Sequence, residues 1–177
     1  NFMSQFKCGV TNFFSLPDYY LRPINFQMGA DENTLAKWDE LLSMGYRVSG
    51  FAGSDSHRFQ KKVGPKTFKI FDYELTCRAL NNHVYIPKPL VGDVEEDKKV
   101  IYAALRNGCF FVGTDMITST AGFSFRADTE TGIYYPGARI PIGNSATLKI
   151  RIPEKSICRL ISNGKVYKQW ESVQSVP

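Results

Sequence analysis

The sequence predicts an α/β part followed by an all-β part, and three observations carry that prediction. Helix–glycine–strand units occur twice, over residues 31–52 and again over 93–112. After about Thr114 no helical period is visible; apolar residues alternate with polar ones, and Asn163-Gly164 marks a tight hairpin. Between the two units lies Gly50-Phe51-Ala52-Gly53-Ser54-Asp55-Ser56-His57. There an apolar run ends in a small-residue break, then a carboxylate and an imidazole two residues apart.

Residues 1–30 are aromatic-rich, broken by Pro17 and Pro23, and read as loop and short elements packed on a core. Leu35, Trp38, Leu41 and Leu42 recur at helical spacing, with Asp31 or Asn33 as cap and Gly45 after the last turn. Tyr46 to Ala52 then reads as a buried strand. Residues 58–92 are irregular: a strand over Lys66–Phe71, a helix over Tyr73–Leu80 and a short strand over Val84–Ile86 are expected. Asp93-Val94-Glu95-Glu96 is an acidic capping box. It opens a helix with Val100, Ile101, Ala104 and Leu105 on one face and Gly108 after its end. Cys109–Val112 follows as a buried strand.

In the all-β part, Gly122–Arg126 and Ala146–Ile152 alternate, and strands over Cys158–Ser162 and Lys165–Trp170 flank Asn163-Gly164. This reads as a small antiparallel β-sandwich over 117–177, with a core of Phe123, Phe125, Leu148, Ile150 and Leu160. The tail, Glu171 to Pro177, looks like a cut, so the module is expected to be incomplete. Residues 1–116 form the other expected domain.

Asp55 and His57 carry the chemistry. On an extended segment, side chains two apart face the same side. A carboxylate oxygen and a neutral imidazole nitrogen together suit a divalent metal. Helix, tight turn, strand and polar residues at the strand's carboxyl end is also the layout of α/β barrels. The spacing alone equally allows a Ser54-Asp55-Ser56 turn with a solvated His57. The second of the chain's two histidines, His83, has no partner at metal spacing and reads as structural.

At 177 residues, with 43% hydrophobic and 14% aromatic content, the chain forms a core. No apolar run is long enough to span a membrane, and residues 1–6 carry no signal-peptide pattern. The formal charge is +5, with its densest cluster at Arg58, Lys61, Lys62, Lys66 and Lys69. That cluster suits an anionic substrate, with Arg58 and Lys61 as candidate substrate-binding residues, although a solvated loop face suits most of the individual lysines better. No recognised nucleic-acid motif accompanies it, so no nucleic-acid partner is expected. Cys8, Cys77, Cys109 and Cys158 are far apart and form no CxxC pair, which argues against a zinc ribbon or redox dithiol. Cys109 reads as a core residue.

Trp38-Asp39-Glu40-Leu41-Leu42, Gly45-Tyr46-Arg47-Val48 and Gly53-Ser54-Asp55-Ser56-His57 together resemble the last barrel motif of the PHP (polymerase and histidinol phosphatase) superfamily. The nearest likeness is its CehA/McbA-like metallohydrolase branch. Ala104-Leu105-Arg106-Asn107-Gly108-Cys109-Phe110-Phe111-Val112 and Leu160-Ile161-Ser162-Asn163-Gly164 fit the helix, strand and sandwich that follow in that branch. About 150 residues correspond in the same order. The resemblance implies terminal β/α units of a (β/α)7 barrel, then a β-sandwich. It implies ester or phosphoester hydrolysis of a small molecule by a metal-bound hydroxide. Asp55 and His57 would be metal ligands for zinc, manganese or iron. The family's His-x-His pair and its middle ligands have no counterpart here. The resemblance therefore implies the C-terminal portion of such an enzyme, with little catalysis alone. The competing reading is a non-catalytic binding or structural module with a degenerate metal site. Tyr134 and Tyr135, beside Pro136-Gly137, would be its contact patch, although a strand-and-turn role suits them better. A homo-oligomer is compatible with either reading, and the sequence assigns no compartment.

Overall fold

A computed structural model of the chain describes residues 32–54, 58–70, 73–116, 118–141, 143 and 145–176. The first element is helix α1, Glu32–Ser43. Gly45 follows it with φ +85°, the left-handed conformation that ends helices cheaply in glycine. Asp31, one of the two expected caps, lies outside the described residues. Then come β1 (Phe59–Val63), β2 (Lys66–Ile70), a single turn α2 (Tyr73–Thr76) and β3 (Asn81–Val84). Helix α3 (Val94–Arg106) and β4 (Phe110–Gly113) follow. The chain ends in β5 (Ser124–Thr129), β6 (Gly132–Tyr134), β7 (Ala146–Ser162) and β8 (Lys165–Val176).

The sheets correct the expected fold. The described residues form three antiparallel sheets, β1-β2, β3-β4 and β6-β5-β7-β8, and contain no (β/α)7 barrel units. The helix–glycine–strand unit at 93–112 exists, but β4 returns antiparallel to β3, pairing Asn81 with Gly113 and Val84 with Phe110. Local periodicity fixes an element's type; strand direction depends on which neighbour the strand meets, and that neighbour is remote in sequence. Three smaller expectations are corrected too. Among the described residues no strand pairs with 46–52, and Tyr46, Val48 and Phe51 are exposed. The helix expected over 73–80 is one turn, and the strand expected over 84–86 begins and ends earlier, at 81–84.

Helix α3 forms as its sequence dictates. Asp93 is extended and accepts from the amides of Glu95 and Glu96 at 3.0 and 2.9 Å. Glu96 does not reach back; its carboxylate pairs with Lys99 at 2.7 Å. The Asp97 carboxylate latches the preceding loop by accepting from Val91 N and Gly92 N. At the far end Gly108 adopts φ +70°.

The all-β part is antiparallel, and its described residues build one four-stranded layer. On β7, Leu148, Ile150 and Ile152, then Ser156, Cys158 and Leu160, alternate as less exposed positions, with half-buried Pro153 and exposed Glu154 interrupting the period-two signature of a sheet with one covered face. The core centres on Ile150 and Cys158, flanked by Phe123, Phe125, Ile152, Trp170 and Val173. Leu148 and Leu160 are only half-buried. Asn163 (φ 50°) and Gly164 (φ 71°) turn β7 into β8, with both central residues at positive φ as that tight hairpin requires.

Candidate functional site

Asp55 and His57 lie outside the described residues, but the segment leading to them is fixed in an unusual way. Among the described residues no strand pairs with residues 46–54, and side chains take that place. The Trp38 indole of α1 donates to Val48 O at 2.8 Å, and its ring lies against Gly50. Asn82 of β3 grips Ala52 from both sides: Ala52 N donates to Asn82 Oδ1 at 3.1 Å, and Asn82 Nδ2 donates to Ala52 O at 2.7 Å. The amide side chain thus copies the paired bonds of a neighbouring strand. Phe51 stacks on Phe110 at 4.4 Å between ring centroids. Arg47 donates to Gly137 O at 2.6 Å and Asn107 O at 3.4 Å, tying the segment to the β6 loop and the end of α3.

The candidate substrate-binding residues follow directly. Arg58 is exposed, with its guanidinium 5.5 Å from the Tyr73 ring centroid. Lys61 falls on β1, opposite Phe68. As metal donors Asp55 and His57 fit in kind, one carboxylate oxygen and one imidazole nitrogen, but not in number. Among the described residues no group of three His, Cys, Asp or Glu residues is placed to hold a metal.

Sequence spacing did not reveal the most connected polar cluster, which centres on Asp115. Its Oδ2 accepts from Asn81 Nδ2 at 2.9 Å and from His83 Nε2 at 2.8 Å. Its Oδ1 accepts from Thr120 N at 3.0 Å and from the Thr120 hydroxyl at 2.5 Å. Burial would raise this carboxyl. The Thr120 hydroxyl and amide, Asn81 and His83 together outweigh burial and hold it well below the usual carboxylate range. His83 Nε2 also lies 3.0 Å from Thr120 Oγ1, and the imidazole stacks on Phe111 at 4.7 Å. With Asp115 ionised and the Thr120 hydroxyl donating, Nε2 must carry the proton.

Both histidine contacts pass over Gly113, where a Cβ would meet Thr120 Oγ1 at 2.6 Å and His83 Nε2 at 3.0 Å. Asn81 and His83 alternate onto one face of β3, the one signal in the sequence that could have joined them. Every strong acceptor site on Asp115 is engaged by the protein itself, which makes the cluster a structural joint between β3, β4 and the approach to β5. Tyr135 packs on Tyr85 at 5.5 Å, and the Tyr134 hydroxyl lies 3.3 Å from Thr131 Oγ1, as a strand-and-turn role predicts.

Cys77, Cys109 and Cys158 are unpaired thiols, and burial raises the pKa of Cys109 and Cys158. No described helix is long and apolar enough to cross a membrane. Comparison of the chain with family models, curated proteins and solved structures gives no match.

Proposed function

We propose that this chain contributes Asp55 and His57 as ligands to the divalent metal of a hydrolase acting on small ester or phosphoester substrates, similar in its motifs to the PHP superfamily. The observation that supports the reading is the anchoring of residues 46–54. Trp38, Asn82, Phe110 and Arg47 hold a strand-like segment with which no described strand pairs, and that segment ends immediately before Asp55. A metal ligand gains from such support, because a coordinating group is useful only if its carrier is held.

Isothermal titration of the purified chain with zinc and with manganese tests the reading. Asp55→Ala/His57→Ala is expected to weaken binding about tenfold or more, with an unchanged circular dichroism spectrum. Matching isotherms for the wild type and the double variant would remove Asp55 and His57 as ligands.

A further inference from the structure

Residues 58–70, the β1–β2 hairpin with Arg58 before it, carry a dense run of positive charge. Of 22 Lys and Arg residues five lie in 58–70, with no acidic residue among them; the other 17 equal the 17 Asp and Glu, so the formal +5 resides here. Among the described residues the two strands pair only with each other. Arg58, Lys62 and Lys66 are exposed, and among the described residues no carboxylate lies within ion-pair distance of them. Asp55 precedes the segment and Asp72 and Glu74 follow it, but no carboxylate lies within it.

The register distributes these cations. Gln60 pairs with Lys69 and Lys62 with Thr67, and these positions share one pleat face. Lys61 pairs with Phe68 and Val63 with Lys66, and these occupy the other. Both strands and both faces therefore hold positive positions. A flat anionic membrane would engage one face and leave the other idle. A groove with phosphates along both walls engages both. Two strands about 4.8 Å apart form a ribbon of the size that the major groove of B-DNA, about 12 Å wide, admits.

We propose that the β1–β2 hairpin is an arm that enters the major groove of duplex DNA and binds its phosphate backbone without reading sequence. The ground is the three-dimensional spread of charge, which a motif search does not register. The proposal goes beyond the metal-site reading and does not depend on it.

Fluorescence anisotropy with a duplex of about 20 base pairs, at about 50 and 200 mM NaCl, tests it with the full chain. Neutralising three to five phosphates gives an expected slope of log affinity on log salt between about −3 and −4.5. Lys62→Glu/Lys66→Glu should cost about tenfold or more in affinity and flatten the slope by about 2. Lys155→Glu/Lys165→Glu, exposed residues on β7 and β8, brings the same net charge, from +5 to +1. It should stay within about threefold of wild type, because only local charge is engaged. Lys62→Gln/Lys66→Gln repeats the test if the glutamates disturb the hairpin, and should lose affinity in the same direction. Three results overturn the proposal: equal losses in the two charge-reversed variants, affinity for phosphatidylserine vesicles equal to that for DNA, or no binding at the lower salt.

Discussion

At the residue scale the Asp115 cluster shows how a half-buried carboxylate is kept charged. Four donors converge on it, and their combined effect exceeds the cost of its burial. The sign of the pH dependence follows. A depressed folded-state pKa contributes stability that is present above the unfolded value, about 3.9, and is lost as pH falls through that value toward the folded one. Near-UV circular dichroism during acid titration should therefore show loosening around His83, Asp115 and Thr120 only below about pH 4. Asp115→Asn should remove that part of the acid transition and lower stability at neutral pH by about 1–2 kcal/mol, since hydrogen bonds to a charged acceptor are lost. An unaltered acid titration in the variant would show that the cluster does not couple to folding. Sequence reading did not join Asp115 to His83, because 32 positions separate the two.

At the element scale, helices and hairpins follow local rules while exposed segments borrow partners. Asp93, Gly45 and Gly108 act where their chemistry predicts, so both long helices were legible. The apolar stripe on α1 was legible too, yet only Trp38 of that stripe has a described polar partner; Leu35 and Leu42 stay largely exposed. The Asn163-Gly164 turn was legible from its dipeptide, but its neighbour was not: a Cβ on Gly164 would meet Asp39 Oδ2 of α1 at 2.6 Å. Gly164→Ala therefore carries two separable penalties, one for φ 71° and one for the clash. Chemical denaturation should show a loss of about 1–2 kcal/mol for Gly164→Ala. Adding Asp39→Ala should restore the steric share and leave the conformational share of about 1 kcal/mol. Full recovery or none in the double variant would contradict that division.

At the scale of the whole molecule, the joint between the earlier elements and the four-stranded sheet is made of backbone. Gly137, φ +81°, lies so close to Asn107 O and Gly108 that a Cβ there has no room, and Arg47 bonds across the same junction. Arg47→Ala should raise amide hydrogen exchange in residues 46–54 and around Gly137 together, at a cost of about 1 kcal/mol for an exposed charge-assisted bond. Exchange rising in one segment alone would mean that Arg47 does not couple them. The sequence by itself determined where the long helices begin and end, the β7–β8 hairpin, the alternation of the all-β part and the concentration of charge in residues 58–70. Each depends on residues within a few positions of one another. Only the tertiary structure decided that β3 and β4 run antiparallel, that Asn82 grips Ala52, and that Asp115 gathers Asn81, His83 and Thr120. Those outcomes depend on which distant surfaces meet, and short-range periodicity carries no information about that encounter.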